Sequence, residues 1–136
     1  MAFFKKRKLS DGKWHAVAAN LMKPATIDDV ADELSARSTV SRADAYAVLV
    51  ELGDVMGRLM ASGRSVKLKG VGTFYLSCRM RGVGTDTPEE ITKSSINDVK
   101  VCFIPEYSRR QNGGIAKRPM IDKYLEWVDL DELTGE

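Results

Sequence analysis

The stretch Gly63-Arg-Ser-Val-Lys-Leu-Lys-Gly-Val-Gly-Thr-Phe-Tyr-Leu76 decides the fold, because it combines a helix stop, two strands and a tight glycine corner. Gly63 stands where the C-terminal end of a helix favours a positive φ. Residues 66–69 alternate apolar side chains with lysines, which is typical of a half-buried strand. Gly70-Val71-Gly72 then lets the chain reverse before a second strand, Thr73-Phe74-Tyr75-Leu76.

Two amphipathic helices are predicted upstream of this stretch. Thr26 can cap the first helix, which has acidic residues in its first turn and an apolar face, and we expect it to end near Arg37. Ser41 can cap the second helix, with Asp44 at the capping-box position. The second helix carries more apolar surface than one buried side requires. This excess favours burial against a partner chain over a thick monomeric core.

A long hairpin is predicted downstream, and it ends in Val101-Cys102-Phe103-Ile104-Pro105. If Phe74 faces Phe103 across this hairpin, Cys78 lies on the Phe74 side of the ribbon and Cys102 on the other side. That register excludes a disulfide between the two cysteines. Two cysteines are also too few for a zinc site, and we predict neither a metal nor another cofactor.

The order of two helices, a strand, a Gly-x-Gly-Thr-Phe corner, a β-arm and an aromatic-x-Pro segment resembles the bacterial histone-like HU and integration host factor family. The resemblance covers about residues 26–110. It implies an α+β fold, in which two N-terminal helices precede a three-stranded antiparallel sheet with a long β-arm, in an intertwined dimer. Gly70, Gly72 and Phe74 would form the fold corner. The partners that it implies are double-stranded DNA and a second copy of the chain.

Six basic residues are candidate DNA contacts. Arg79 matches a basic position of the family's arm, and Arg110 matches a basic position just after the aromatic-x-Pro segment. Arg81 and Lys93 lie on the arm without a matching family position. Lys67 and Lys69 lie on the first strand, where only general electrostatics supports them.

The tip of the arm departs from the family pattern. Family members carry Arg-Asn-Pro followed by a Thr-Gly pair, and the proline acts as a wedge that kinks DNA. Here Pro88 follows Thr87 and precedes two acidic residues, so it is either a turn residue or a wedge. Acidic groups at the tip disfavour phosphate binding, which scales with the number of phosphates neutralised. An alternative function therefore stays open, that of a protein-interaction or scaffolding module with weak or lost DNA binding.

Charge is segregated along the chain, although the net charge is only +2. Positive segments are residues 1–23 (+5), 56–76 (+4) and 101–118 (+3), and negative segments are residues 24–55 (−5) and 119–136 (−5). This pattern favours separate basic and acidic faces over an evenly alternating surface.

We divide the chain into three parts: a basic N-terminal extension over residues 1–25, an HU/IHF-like DNA-binding domain over residues 26–111, and an acidic C-terminal extension over residues 112–136. The leader Lys5-Lys-Arg-Lys8 is expected to be either a flexible arm that contacts phosphates or a solubilising tail. Lys13-Trp-His-Ala-Val17 alternates like an edge strand.

Two further helices are predicted near the C-terminus. A short third helix is expected over residues 106–111, before the break at Asn112-Gly-Gly114. Another is expected from Pro119, because apolar residues recur at helical spacing over residues 121–128. The tail either folds back on the domain or offers residues 115–136 to a protein partner.

Composition limits the remaining choices. A chain of 136 residues with 43% hydrophobic and 29% charged residues suits one soluble domain, and no apolar run is long enough to span a membrane. The absence of an apolar secretory segment predicts a cytoplasmic, nucleoid-associated protein. Gly70-x-Gly72 precedes a strand rather than a helix, and His15 has no catalytic partners, so we predict no enzyme. The favoured function is a homodimeric architectural protein that binds duplex DNA and bends or wraps it.

Overall fold

The computed structural model describes residues 1–135 and has the α+β class that the sequence predicts. In chain order its elements are strands β1 Ala2–Lys8 and β2 Trp14–Ala19, helices α1 Ile27–Arg37 and α2 Arg42–Ala61, strands β3 Val66–Leu68, β4 Gly72–Met80, β5 Ile96–Pro105, β6 Ser108–Arg109, β7 Ile115–Lys117 and β8 Trp127–Asp129, and helix α3 Leu130–Thr134. The chain forms two compact units. One comprises Met1–Tyr46 with the segment from Ile121 onward, and the other comprises Ala47–Met120. The domain boundaries predicted at residues 25 and 111 stay a prediction.

The first unit contains a three-stranded sheet in the order β2-β1-β8. Strand β1 pairs antiparallel with β2 and parallel with β8. The leader Lys5–Lys8 is thus part of a central strand, and the expectation of a flexible arm or tail is wrong, because its backbone is hydrogen-bonded to a neighbouring strand. The strand expected near residues 13–17 corresponds to β2, which lies at the edge of this sheet.

Both helix starts carry the caps that the sequence predicts. The Thr26 N–H donates to the Asp29 carboxylate at 2.8 Å, and the Asp29 N–H donates to the Thr26 hydroxyl at 3.4 Å, which completes a capping box. At the start of α2 the Asp44 N–H donates to the Ser41 hydroxyl at 3.1 Å. These bonds satisfy backbone donors that the first turn of a helix leaves without a partner.

One side chain ties the start of α2 to α1 within the first unit. The Arg42 guanidinium donates to the Asp28 carboxylate at 2.7 Å and also to that of Asp32. Asp28 and Asp32 are four residues apart and share one face of α1, so a single forked donor can reach both.

The second unit is organised around the glycine corner. Gly63 has φ +87° and ends α2, and Gly70 has φ +82°. Strands β3, β4 and β5 form an antiparallel sheet in that order, with Phe74 opposite Phe103 and their rings stacked 4.7 Å apart. The Gly70 N–H donates to the Glu106 carboxylate at 2.8 Å, which ties the corner to the chain after β5.

Glycine is required at position 72 by both backbone conformation and space. It has φ +149°, and an added Cβ would overlap the carbonyl oxygen of Ile104 and the ring of Phe103. Only glycine therefore lets β4 approach β5 this closely at the start of the ladder.

The short helix predicted over residues 106–111 is wrong. Strands β6 and β7 form a small hairpin there instead. Gly113 has φ +88°, and the Asn112 side chain accepts a hydrogen bond from the Gly114 N–H at 3.0 Å. The Arg109 guanidinium also donates to the Gly113 carbonyl at 2.9 Å, so the turn is held by hydrogen bonds that a helix would break.

The helix predicted from Pro119 is also wrong. The Asp122 carboxylate accepts a hydrogen bond from the Tyr124 N–H at 2.8 Å, and this local turn competes with helical bonding. The chain then enters β8 and pairs with Ala2–Phe4 of β1, so this part of the tail folds back on the N-terminal strand. Among the described residues of the tail, only α3 is helical, with Asp129 as its N-cap.

The apolar side chains are incompletely buried. The buried apolar residues among residues 1–135 are Ala31, Ala45, Met60 and Val66. Several apolar side chains of α2 are exposed instead, namely Tyr46, Val48, Val50 and Val55. No helix in the described part of the chain is both long enough and apolar enough to cross a membrane.

Candidate nucleic-acid interface

The ribbon made by β4 and β5 has one apolar face and one polar face. Residues directly opposite each other share a face, and successive residues alternate between the two faces. The register therefore places Phe74, Leu76, Cys78, Val99, Val101 and Phe103 on the apolar face. The polar face carries Thr73, Tyr75, Ser77, Arg79, Asp98, Lys100, Cys102 and Ile104. The predicted separation of Cys78 and Cys102 onto opposite faces is confirmed, and both thiols are free.

Three basic side chains lie on this polar face. Lys67 is opposite Thr73, Arg79 is opposite Asp98, and Lys100 is opposite Ser77. All three are exposed. Arg79 and Lys100 line a shallow cleft of about 190 Å³ together with Ser77, Cys78 and Asp98.

The charges of these side chains are not neutralised internally. Within residues 1–135, Lys67, Arg79 and Lys100 make no ion pair, even though Asp98 is the cross-strand neighbour of Arg79. Arg58, by contrast, pairs with Asp54 at 3.2 Å. Three exposed, uncompensated cations on one side of a ribbon are suited to binding an anion.

Lys100 is a candidate that the sequence analysis missed. The signal was available, because the Phe74–Phe103 pairing alone places Lys100 opposite Ser77, two residues from Arg79 on the same face. Tyr75 lies on this face as well. The neighbouring Cys102 thiol raises the pKa of Tyr75 above its ordinary value.

The tip of the arm, residues 81–95, holds two more of the predicted contacts. Arg81 directly follows β4, and Lys93 begins a 3-10 turn, Lys93–Ser95. Both side chains are exposed. Pro88 begins another 3-10 turn, Pro88–Glu90, so it is a turn residue in an exposed loop.

The tip carries acidic and apolar side chains as well as basic ones. Asp86, Glu89 and Glu90 are exposed beside the two basic residues. Val83 is 91% exposed and is an apolar side chain at the tip that the sequence analysis did not single out. The ladder also shifts register between Arg79 and Met80, where the arm enters this loop.

The remaining two predicted contacts lie elsewhere in the second unit. Lys69 follows β3 at the glycine corner, and Arg110 lies in the turn of the β6–β7 hairpin. Both are exposed. Arg109 is less available to bind a phosphate, because its guanidinium lies over the Tyr107 ring at 5.0 Å and donates to the Gly113 carbonyl.

The two units differ in charge. Residues 47–120 contain twelve Lys or Arg and seven Asp or Glu, for a net charge of +5. The rest of the chain contains nine Lys or Arg and twelve Asp or Glu, for a net charge of −3. The predicted segregation of charge only partly follows the division into units, because the positive segment 1–23 belongs to the acidic unit, whereas all six predicted contacts belong to the basic unit.

One comparison with known proteins identifies a related family. The family model HU-HIG, described as an HU domain fused to wHTH, Ig, or Glycine-rich motif, matches residues 4–115. No curated protein matches the chain.

Proposed function

The chain belongs to the HU-HIG family, and on this premise we propose that it is a non-enzymatic architectural protein that binds duplex DNA through the phosphate backbone and bends or wraps it. The family match spans most of the chain and includes helices α1 and α2 and the whole β-arm. An association with the nucleoid in the cytoplasm, and a part in DNA condensation, would follow from this activity.

The observation that carries the proposal is the polar face of the β4–β5 ribbon. Lys67, Arg79 and Lys100 are exposed there and make no ion pair among residues 1–135. A two-stranded ribbon fits a DNA groove and can place such side chains against phosphates. Each phosphate neutralised releases counterions, so these contacts supply affinity without reading the sequence.

The arm tip carries side chains that would strengthen DNA binding and side chains that would weaken it. Arg81 and Lys93 add two cations, whereas Asp86, Glu89 and Glu90 repel phosphates. The proposed wedge, Pro88, is exposed in its 3-10 turn, and Val83 offers a second exposed apolar side chain at the same tip. Insertion of an apolar side chain between base steps would kink the duplex.

A homodimer completes the proposal. Apolar side chains of α2 are exposed and the apolar face of the ribbon is half-exposed, and exposed apolar surface is typical of protein–protein interaction sites. A second copy of the chain could cover both surfaces. We expect light scattering to give about twice the 15.1 kDa of one chain, and Val50→Glu to shift the population toward monomer. Glu51→Gln, next to it on the helix, is the control.

The test of DNA binding is fluorescence anisotropy with a labelled duplex, repeated over a range of salt concentrations. We expect binding that weakens steeply with salt, with a slope of about −0.9 per phosphate contact. Arg79→Gln with Lys100→Gln should reduce the magnitude of the slope by about 1.8 per bound chain. Lys23→Gln with Lys123→Gln makes the same charge change at exposed positions of the first unit and should leave the slope unchanged.

The outcomes separate the parts of this proposal. If the unsubstituted protein does not bind duplex DNA at low salt, the proposed function is wrong. If it binds but the ribbon variant keeps the full slope, the assignment of the ribbon face is wrong while DNA binding stands.

A protein-interaction or scaffolding module is the second candidate function. It is favoured by the acidic tip and by an apolar cleft of about 460 Å³ in the first unit, lined in part by Met1, Leu21, Met22 and Trp127. Trp127 lies in the segment proposed to contact a protein partner, residues 115–136. Failure to bind DNA, together with a protein complex that Trp127→Ala disrupts, would favour this candidate.

A further inference from the structure

Strand β1 holds four consecutive basic residues, and its pairing sorts them onto two faces of the sheet. Lys6 and Lys8 lie on the face that also carries Phe4 and Asp129. Lys5 and Arg7 lie on the opposite face, where Lys5 is opposite Val17 and Arg7 is opposite His15. We call this second face, which carries Lys5 and Arg7, the leader face.

The two faces differ in whether they carry acidic groups beside their lysines. On the first face the Lys6 ammonium forms ion pairs with Asp129 at 2.7 Å and with Asp131 at 3.5 Å. On the leader face the strand positions are Phe3, Lys5, Arg7, His15, Val17, Ala19 and Val128, and none of them is acidic.

Neither cation of the leader face has an ionic partner in the described residues. Lys5 and Arg7 are exposed, and neither makes an ion pair within residues 1–135. The nearest acidic group in that hairpin, Asp11, is already engaged, since its carboxylate bonds to the His15 ring and to the Lys13 N–H, both at 2.8 Å.

We propose that the leader face, through Lys5 and Arg7, is a second contact for the phosphate backbone of duplex DNA, separate from the β-arm. The inference rests on the proposed function, because it assumes that the chain binds DNA. It assigns DNA contacts to the unit whose net charge is negative, where average charge alone would not indicate them.

The geometry of a strand suits this ligand. Residues two apart on one face of a strand are about 6.6–6.8 Å apart, so Lys5 and Arg7 present two positive charges side by side toward one DNA backbone. The pairing of Lys5 and Arg7 with β2 holds this spacing, so less entropy is lost on binding than for a flexible tail. The guanidinium of Arg7 adds a planar fork that can bind a phosphate in bidentate fashion.

The test compares variants in the anisotropy titration with full-length protein. Lys5→Gln with Arg7→Gln should reduce the magnitude of the salt slope by about 1.8 per bound chain. The control pair Lys23→Gln with Lys123→Gln removes two positive charges from the same unit and should leave the slope unchanged. Circular dichroism of each variant checks that the fold is kept.

A second measurement uses the unsubstituted protein, so it does not depend on folding of a variant. Acetylation of lysines with an N-hydroxysuccinimide ester is followed by mass spectrometry with and without saturating duplex. We expect Lys5 to be acetylated several-fold more slowly when DNA is bound, and the exposed Lys23 to react at the same rate in both samples.

Three results would overturn the proposal. One is binding by the unsubstituted protein with an unchanged slope in the Lys5 and Arg7 variant, which would leave the ribbon as the DNA site. Another is an equal acetylation rate of Lys5 with and without DNA. The third comes from a titration with polyglutamate in place of DNA. If the Lys5 and Arg7 variant keeps the DNA salt slope but no longer binds the polyglutamate that the unsubstituted protein binds, the leader face would be assigned to an acidic protein. Failure of the proposed function looks different, because no duplex binding would then be seen at all.

Discussion

Lys6 in β1 and Asp129 in β8 form an ion pair, with Nζ and Oδ2 2.7 Å apart, although they lie near opposite ends of the described chain. The Asp129 side chain is only 10% exposed. The same carboxylate caps α3 by accepting the Asp131 N–H at 3.0 Å. One side chain therefore links the N-terminal strand, the C-terminal strand and the last helix.

Asp129→Ala should lower the melting temperature by a few degrees, because it removes both the ion pair and the helix cap. Asp131→Ala is the matched control: its carboxylate is 70% exposed, lies 3.5 Å from Lys6 and should matter less. Thermal unfolding followed by circular dichroism measures both variants. Equal effects of the two substitutions would contradict a special role for Asp129.

Stability should depend on pH through the same carboxylate. The hydrogen bond from Lys6 and the bond from the Asp131 N–H hold the pKa of Asp129 below its ordinary value. A lowered pKa in the folded state gives stability that is present above the unfolded value, about 4, and is lost as pH falls through the folded value. Melting curves from pH 7 to pH 2 should show this loss.

Asp129→Asn provides the control for this pH effect, since it removes the titrating group and keeps its size. The difference in melting temperature between the unsubstituted protein and Asp129→Asn should shrink as pH falls below about 4. A difference that stays constant from pH 7 to pH 2 would contradict the assignment.

Gly72→Ala should lower the free energy of unfolding by about 3 kcal/mol, because it combines an unfavourable positive φ with overlap against Ile104 and Phe103. Gly84→Ala is the control, since no atom lies within 4 Å of its added Cβ, and we expect a change within about 0.5 kcal/mol. Urea unfolding measures both. A tolerated Gly72→Ala would show that β4 and β5 can separate at the corner.

Thr26→Ala should lower the free energy of unfolding by about 1 kcal/mol through loss of the capping box of α1. Thr26→Ser keeps a hydroxyl at the same position and should recover most of the stability. If the alanine and serine variants unfold at the same urea concentration, the side-chain cap contributes nothing measurable.

The two cysteines should stay reduced and unpaired. Cys78 is opposite Val99 and Cys102 is opposite Tyr75, and the two thiols belong to opposite faces of the ribbon. Alkylation of the unfolded protein without reductant, followed by intact mass measurement, should therefore give two adducts. A mass without adducts, from an intrachain disulfide, would show that the register is wrong.

Local features of the fold could be predicted from neighbouring residues. Thr26 with Asp29, and Ser41 with Asp44, specify the helix starts, because a cap forms between residues three apart. The corner at Gly70 and Gly72 follows from the φ angles that glycine allows. The pairing of Phe74 with Phe103 set the ribbon faces, and it would also have revealed Lys100 as a candidate contact.

The errors have a common cause. Residues 121–128 have helical apolar spacing, and residues 106–111 precede the helix-ending break at Asn112-Gly-Gly114, but side-chain hydrogen bonds at Asn112, Arg109 and Asp122 stabilise turns in these segments. Neither apolar spacing nor a glycine break reports these competing bonds.

The sequence by itself thus determined the helix caps and the glycine corner, because each depends on residues close along the chain. Strict alternation then assigned the ribbon faces once Phe74 was placed opposite Phe103, a pairing that the structure supplies. Only the tertiary structure decided that strand β1 and the tail share a sheet, with Lys6 held by Asp129 and with Lys5 and Arg7 making no ion pair among residues 1–135. Strand pairing between distant segments uses backbone groups that every residue carries, so the partner is selected by the folded chain rather than by local sequence.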